Sequence, residues 1–298
     1  MPDHPSDRIV VGVDGSAPSD AALRWAAREA AMRKVALTVL HVLPPGLPGW
    51  GMGYAMAPLP PDYGEMQEEQ GRRVLEAALR VVDETIAPGG LGQVRSELVF
   101  ASPVPTLVDV TNNAQMIVVG CRGQGAWRRG LFGSVSTGLV HHAHCPVAVI
   151  HDPADAPIDS RGLVVVVGVD GSPASELATA IAFDEASWRA VELVAVHAWA
   201  DFAWQDYVGL AWPDIRAEAD ETLAQRLAGW RERYPDVVVH RVVERDQADR
   251  HLLEQAEKAQ LLVVGSHGRG GFAGMLLGSV SSTVVHAAQI PVIVARQR

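Results

Sequence analysis

The sequence predicts an α/β protein of two tandem, doubly wound domains, each with a five-stranded parallel sheet flanked by helices. Two observations favour this fold. The segment Val10–Ser16 recurs without change as Val166–Ser172. In both halves, short Val- and Ile-rich runs alternate with segments of helical length and spacing. Continuous apolar strands separated by helices are typical of parallel sheets covered on both faces.

The elements of the first half follow one another as strand and helix. Short apolar runs predict the strands, and alanine-rich or amphipathic spacing predicts the helices. The predicted strands are Ile9–Val13, Leu37–Leu43, Arg95–Phe100, Met116–Val119 and Val147–Ile150, and the predicted helices are Ala21–Met32, Glu65–Thr85, Thr106–Asn113 and one that begins at Ser134.

The repeat also sets the expected domain boundaries. The segment His151–Gly162 carries two prolines and three aspartates without apolar periodicity, as linkers do. We expect one domain at residues 1–152, a linker at 153–162 and a second domain at 163–298. The first half is longer than the second because Pro44–Pro61, rich in Pro, Gly and Met, is an expected insertion loop.

Charge and composition narrow the function. The chain of 298 residues has 35 acidic and 25 basic side chains, a formal net charge of -10, which disfavours nucleic acid and anionic membranes as partners. No apolar run has the length of a membrane span. The two cysteines, Cys121 and Cys145, suggest no disulfide framework. We expect a cytoplasmic protein.

The first strand of each half ends in an aspartate. Asp14 is followed by Gly15 and Ser16, so its carboxylate is expected to project into the crevice beyond the strand ends while Ser16 caps the next helix. A ribose hydroxyl or a Mg²⁺ ion would suit this carboxylate. Because Asp170 repeats the arrangement, a functional role is favoured over capping alone.

A glycine-rich loop follows the fourth strand of each half. Gly120-x-x-Gly123, nine residues and Gly133-Ser134 match a second copy that begins at Gly265. Glycines permit close approach of backbone amides, and the helix that follows presents its positive end, so the loop predicts phosphate binding. The only lysines, Lys34 and Lys258, do not follow a glycine, which excludes a Walker-type loop.

These motifs together, Gly-Val-Asp-Gly-Ser and Gly-x-x-Gly-x9-Gly-Ser, resemble the ATP-binding branch of the universal stress proteins. The resemblance covers nearly the whole chain and implies a Rossmann-like fold of the adenine nucleotide alpha-hydrolase type. It implies that the glycine loop wraps the phosphates, the aspartate holds the ribose and the second strand faces the adenine. His267 replaces the arginine that Arg122 supplies in the first copy, so we expect the two sites to differ in affinity.

The implied cofactor-binding residues occur in two matching sets. The first set is Gly12, Asp14, Val42, Gly120, Cys121, Arg122, Gly123, Gly133, Ser134 and Val135; the second is Gly168, Asp170, Ala198, Gly265, Ser266, His267, Gly268, Arg269, Gly278, Ser279 and Val280.

By this resemblance the expected function is an ATP-binding regulator of stress response or growth control, read by an unidentified protein partner. Two alternatives stay open: slow turnover of the nucleotide as an ATPase or phosphoryl transferase, with Mg²⁺ on Asp14 and Asp170, and binding of AMP or a cyclic nucleotide. The histidines near Cys145 predict no metal site. A homodimer is expected, formed by the last strand of a half pairing with its counterpart.

Overall fold

A computed structural model of the chain describes residues 7–45, 62–87, 89–123, 133–151, 163–199, 212–269 and 276–296. The predicted linker, most of the predicted insertion loop and the central residues of both glycine loops lie outside these ranges. By contacts the chain divides into two compact units, Met1–Leu139 and Val140–Arg298.

The first repeat alternates strands and helices, as predicted. Its elements are β1 (Arg8–Val13), α1 (Ala17–Arg33), β2 (Ala36–Leu43), α2 (Tyr63–Thr85), β3 (Val94–Phe100), α3 (Pro103–Val110), a 3₁₀ turn (Thr111–Asn113), β4 (Met116–Gly120), α4 (Ser134–His142) and β5 (Val147–Ile150).

The second repeat has the same order. Its elements are β6 (Val164–Gly168), α5 (Pro173–Arg189), β7 (Leu193–Trp199), α6 (Trp212–Arg233), β8 (Val239–Arg245), α7 (Ala248–Ala256), β9 (Ala259–Gly265), α8 (Ser279–Ala287) and β10 (Val292–Ala295).

Strand order follows the doubly wound pattern. In the first unit β1 lies between β2 and β4, β3 pairs with β2, and all of these pairs are parallel. In the second unit β6 lies between β7 and β9, and β8 pairs with β7, again in parallel. The winding direction therefore reverses between the first and fourth strands of each repeat, which is where open α/β sheets bind ligands.

The fifth strand differs from the other strands of its repeat in its pairing. β5 pairs with β10 in antiparallel register, so the sheet is mostly rather than wholly parallel. Because of this pairing β5 belongs to the second compact unit, although its sequence belongs to the first repeat. The two strands that were expected to pair across a homodimer thus pair within one chain. The predicted homodimer therefore cannot form through these strands as unpaired sheet edges.

The cores are built from apolar strand residues and from the small inner faces of the first helices. Ile9, Val10 and Val11 of β1 have no exposed surface, and neither do Ala22 and Leu23 of α1. Alanines on the helix let it lie close to the sheet, and the strands supply the branched side chains that fill the space between. This packing holds α1 directly over β1 and β4.

An ion pair is buried within each of these helices. Glu29 accepts a hydrogen bond of 2.5 Å from Arg33, and Glu185 lies 2.6 Å from Arg189. Both glutamate side chains are at most 1% exposed. A buried carboxylate persists only when it is paired, so the glutamate and the arginine one turn later form a structural unit that both repeats keep.

An aromatic cluster fixes α6 against α5 in the second unit. The ring of Phe183 has no exposed surface, and its centroid lies 5.9 Å from that of Trp230 and 5.5 Å from that of Tyr234. The Tyr234 hydroxyl donates a hydrogen bond of 2.5 Å to Asp184. Burial, aided by that carboxylate, raises the pKa of Tyr234 to about 12, so the hydroxyl stays protonated.

We expect Phe183→Ala to lower the free energy of unfolding by about 3–5 kcal/mol, because it removes a buried ring and leaves a cavity. Urea denaturation followed by circular dichroism measures the loss. Phe100→Ala is the matched control, since the Phe100 side chain is 50% exposed. Equal losses in the two variants would contradict this account of the core.

Candidate functional site

Each repeat has a crevice beyond the ends of its first and fourth strands. In the first repeat β1 and β4 are hydrogen-bonded neighbours, with Val11 opposite Val118. In the second, Val167 of β6 lies opposite Val263 of β9. The expectation that both motifs follow adjacent strand ends is confirmed.

Asp14 folds over the start of α1. Its Oδ1 accepts hydrogen bonds from the amide of Ser16 at 3.0 Å and from the Ser16 hydroxyl at 2.6 Å. The Ser16 hydroxyl in turn accepts from the amide of Ser19, as the N-cap of the helix. One short segment therefore caps α1 and holds the carboxylate at the crevice.

Asp170 has the same place in the second repeat but bridges two loops. Its Oδ1 accepts from the amide of Ser172 at 2.8 Å, and its Oδ2 accepts from the amide of Arg269 at 3.1 Å. Burial acts to raise the pKa of the Asp170 carboxyl, but hydrogen bonds from Ser172, Ser175 and Arg269 outweigh burial and hold that pKa below its ordinary value. The group is an anion at neutral pH.

The second glycine of each Gly-x-x-Gly lies against the aspartate. A Cβ added to Gly123 would be 2.5 Å from Asp14 Oδ2, and one added to Gly268 would be 2.6 Å from Asp170 Oδ2. These positions need glycine because any side chain would displace the carboxylate. The glycine loop and the aspartate thus form one site in each repeat.

The first glycine of each motif has a packing role. A Cβ on Gly120 would lie 2.7 Å from the carbonyl oxygen of Pro18, and one on Gly265 would lie 2.9 Å from the carbonyl carbon of Ala174. Backbone cannot yield at such distances. Glycine here lets the end of the fourth strand pass directly beneath the first turn of α1 or α5.

Hydrogen bonds close each loop and bring a helix N-terminus beside the strand end. In the first repeat the amide of Gly133 donates to the carbonyl of Cys121 at 3.0 Å, and the Ser136 hydroxyl donates to the same carbonyl at 3.2 Å. In the second, the amide of Gly278 donates to the carbonyl of Ser266 at 2.7 Å. Both sites therefore have helical N–H groups directed at the crevice.

These helix starts have glycine at the capping position. Gly278 is the N-cap of α8, with no hydrogen bond from a side chain, and Ser279 after it is exposed. In the first repeat Gly133 directly precedes α4, whose first residue, Ser134, is also exposed. By contrast Ser172 caps α5. No described side chain caps the start of α8, and the positive end of a helix dipole favours an anion.

A histidine supports each first strand from the neighbouring strand. The Nδ1 atoms of His41 and His197 lie 2.7 and 2.6 Å from the carbonyl oxygens of Val13 and Val169. A carbonyl only accepts, so Nδ1 carries the proton. Burial above all lowers the pKa of His197, which keeps the ring neutral. The sequence analysis assigned these histidines no role.

The remaining predicted residues lie in the strands, in the loops and in the first turns of α4 and α8. Gly12 and Gly168 are inside their strands and pack against Leu107 and Leu252, respectively. Val42 and Ala198 lie near the ends of the second strands, and Arg122 and Arg269 are exposed. Val135 and Val280 lie in the first turns of α4 and α8.

The hydroxyls of Ser136 and Ser281 were missed by the sequence analysis. Ser281 donates to the carbonyl of Gly265, and Ser136 donates to the carbonyl of Gly133 at 2.9 Å as well as to that of Cys121. The repeated Gly-Ser-Val-Ser was the available signal. Its second serine, rather than its first, secures the loop to the strand.

The described residues contain neither a metal-binding group of side chains nor a helix able to cross a membrane. No group of three or more His, Cys, Asp or Glu side chains in those residues is arranged to hold a metal ion. No helix in the described ranges combines the length and the apolar character that crossing a membrane requires.

We expect Asp170→Asn to lower stability at pH 7, with a difference from the unsubstituted chain that shrinks on acidification. The pKa of Asp170 is lowered by folding, so its stabilising effect is complete above the aspartate pKa of the unfolded chain, about 3.9, and is lost as pH falls through the folded value. Urea denaturation at a series of pH values measures this. A difference that stays the same on acidification would contradict it.

Comparison with known proteins follows the repeat. The model of the universal stress protein family matches residues 5–151 and again 164–296. The chain is 53% identical over 289 residues to universal stress protein Rv2005c of Mycobacterium tuberculosis, covering 97% of each. A crystal structure of a universal stress protein from Archaeoglobus fulgidus has the same fold, with a TM-score of 0.71 and 21% identity over 98% of this chain and 99% of that one.

One repeat also aligns with a universal stress protein from Archaeoglobus fulgidus solved in complex with dAMP. It covers 48% of this chain and 95% of that one, at 25% identity and a TM-score of 0.35. Over nearly its full length, in two copies of the domain, the chain belongs to the universal stress protein family.

Proposed function

We propose that the chain binds ATP in both crevices and acts as a regulatory protein whose surface responds to nucleotide occupancy. The observation that carries this proposal is the contrast between two helix N-termini at the second crevice. Ser172 caps α5, whereas α8 begins at Gly278 with no side-chain cap. The first N–H groups of α8, which no described side chain caps, are suited to phosphate oxygens.

The ionised aspartate orients the nucleotide. A carboxylate repels phosphate and accepts hydrogen bonds from hydroxyls, so Asp170 selects the ribose while the helix end selects the phosphates. Asp14 has the same relation to α4 in the first crevice. Val42 and Ala198, near the ends of β2 and β7, are the proposed backbone contacts of the adenine.

The proposal favours ATP over AMP or a cyclic nucleotide because each loop has a cationic side chain that can meet the additional phosphates. Arg122 and Arg269 are exposed at the loops, where their side chains are free to turn toward a bound triphosphate. Competition of AMP and cAMP against ATP tests this preference. ATP also implies the cytoplasm as the place of action and a protein partner that reads the bound state.

Binding rather than turnover is the function that these contacts support. The groups around each crevice are backbone amides, serine hydroxyls and an aspartate whose Oδ1 already accepts from the neighbouring serine. Such groups hold a ligand in a fixed orientation. A general base would need to lie within hydrogen-bond reach of an attacking water, whereas in this proposal the aspartate accepts from the ribose.

We expect Gly123→Ala and Gly268→Ala each to remove one of two ATP sites per chain. The added methyl group would lie 2.5 or 2.6 Å from the aspartate oxygen and would displace that carboxylate from the loop. Isothermal titration calorimetry gives the stoichiometry and affinity, and the affected site should weaken by at least about tenfold, or 1.4 kcal/mol.

Gly229→Ala is the matched control for these two substitutions. A Cβ at this position in α6 would meet nothing within 4 Å, so two sites should remain. If Gly123→Ala and Gly268→Ala both titrate like this control, the aspartate and the glycine loop do not form the nucleotide site.

A homodimer is a separate proposal. Since β5 and β10 pair within the chain, a dimer would need another surface. Light scattering at micromolar concentration should give twice the chain mass of 31.9 kDa. A mass of one chain would contradict the dimer without affecting the nucleotide sites.

A further inference from the structure

An arginine from α6 reaches the second crevice. A Cβ added to Gly171 would lie 2.1 Å from Nη1 of Arg226, 2.2 Å from its Cζ and 2.5 Å from its Nη2. The guanidinium therefore lies against the backbone between Asp170 and the N-cap Ser172. Gly171 has a φ of +78°, so glycine is favoured there both by the turn and by this contact.

The contacts of Arg226 leave much of its hydrogen-bonding capacity unused. Its nearest carboxylate is Glu176, with Nη1 and Oε1 separated by 3.7 Å, which is an ion pair but too long for a hydrogen bond. Its Nε is buried and has no hydrogen-bond partner among the described residues. A buried N–H without an acceptor is costly, and a guanidinium has five such donors.

At the matching position of α2, the first repeat has an apolar residue instead of this cation. Val82 and Leu227 are the last buried residues of α2 and α6, and each lies the same number of residues before the strand that follows. The residue before Leu227 is Arg226, and the residue before Val82 is Val81. The two crevices thus have the same backbone arrangement. They differ in the charge of the residue that α2 supplies to the first and α6 to the second.

The charge of Arg226 also affects the ionisation of His197 beside this crevice. The charges of Arg226 and Arg269 add to burial in lowering the pKa of His197, while Asp170 acts in the opposite direction. Arg226 and Arg269 therefore lie within electrostatic range of the end of β7, and each would attract an anionic ligand.

We propose that Arg226 is an affinity-determining residue of the second nucleotide site, where its guanidinium donates hydrogen bonds to the ribose-phosphate part of the ligand. The inference rests on the proposed function and deepens it. The second site then binds ATP more tightly than the first, which has Val81 instead. The replacement of Arg122 by His267 in the second loop predicted that the two sites differ in affinity. It gave no structural reason for the second site to be the tighter one.

The test uses the full chain carrying Gly123→Ala, so that only the second site remains. In that background Arg226→Met keeps the length of the side chain and removes its charge and donors. We expect the Kd for ATP to rise about tenfold, the usual scale for a lost charge-assisted hydrogen bond, with Arg226→Lys between the two. Arg231→Met, an exposed arginine of the same helix, is the control and should leave the Kd unchanged.

The outcomes separate the two proposals. If the Gly123→Ala chain binds no ATP while Arg226 is intact, the proposed function fails, and the inference fails with it. If that chain binds ATP and Arg226→Met leaves the Kd within twofold or tightens binding, only the inference is overturned. Thermal denaturation of each variant shows whether it is folded. If Arg226→Met is unfolded, the Kd of Arg226→Lys for ATP is compared with that of the Gly123→Ala chain, and a Kd within twofold or tighter overturns the inference.

Discussion

Both sites depend on the close approach of the fourth strand to the first helix. The end of that strand passes so near the first turn of α1 or α5 that only glycine fits, at Gly120 and at Gly265. This contact places the strand end, the aspartate and the helix cap within a few ångströms of one another. The loop that follows then returns to hydrogen-bond the same strand end, which fixes the start of α4 or α8.

The two repeats show how one backbone arrangement carries different electrostatics. In the first, the hydroxyl of Ser16 donates to Asp14, whereas in the second, Ser172 donates to the carbonyl of His267 and the amide of Arg269 donates to Asp170. The second carboxylate therefore joins its loop to the strand end by a direct hydrogen bond. The backbone arrangement is the same in both copies, while the hydroxyl of the capping serine donates to different acceptors.

The sequence predicted the order of elements and most strand bounds, because buried strands are continuous apolar runs and the repeat gives every motif a second copy. The start of α1 was predicted at Ala21, four residues after its first residue, Ala17. Ser16 caps the helix, as predicted, but Ser19 and Asp20 in its first turn interrupt the apolar periodicity. Periodicity alone therefore places the start of a capped helix too late.

Three features were beyond sequence reasoning, each for a physical reason. The pairing of β5 with β10 joins strands of different repeats, and apolar pattern alone does not specify a strand's partner. Glycine spacing predicts a loop but does not distinguish the roles of its glycines. Gly120 leaves room for the first turn of a helix, and Gly123 leaves room for a carboxylate. At the position of α2 that matches Arg226 the first repeat has Val81, so a comparison of the two copies does not reveal this arginine.

The central claim is that each crevice holds an adenine nucleotide between an aspartate and a helix N-terminus. Native mass spectrometry of the chain with added ATP tests it most directly, because it counts bound ligands on each molecule. The account predicts species with one and then two ATP per chain as the concentration rises. Spectra that show the bare chain alone in the presence of ATP, ADP and AMP would contradict it.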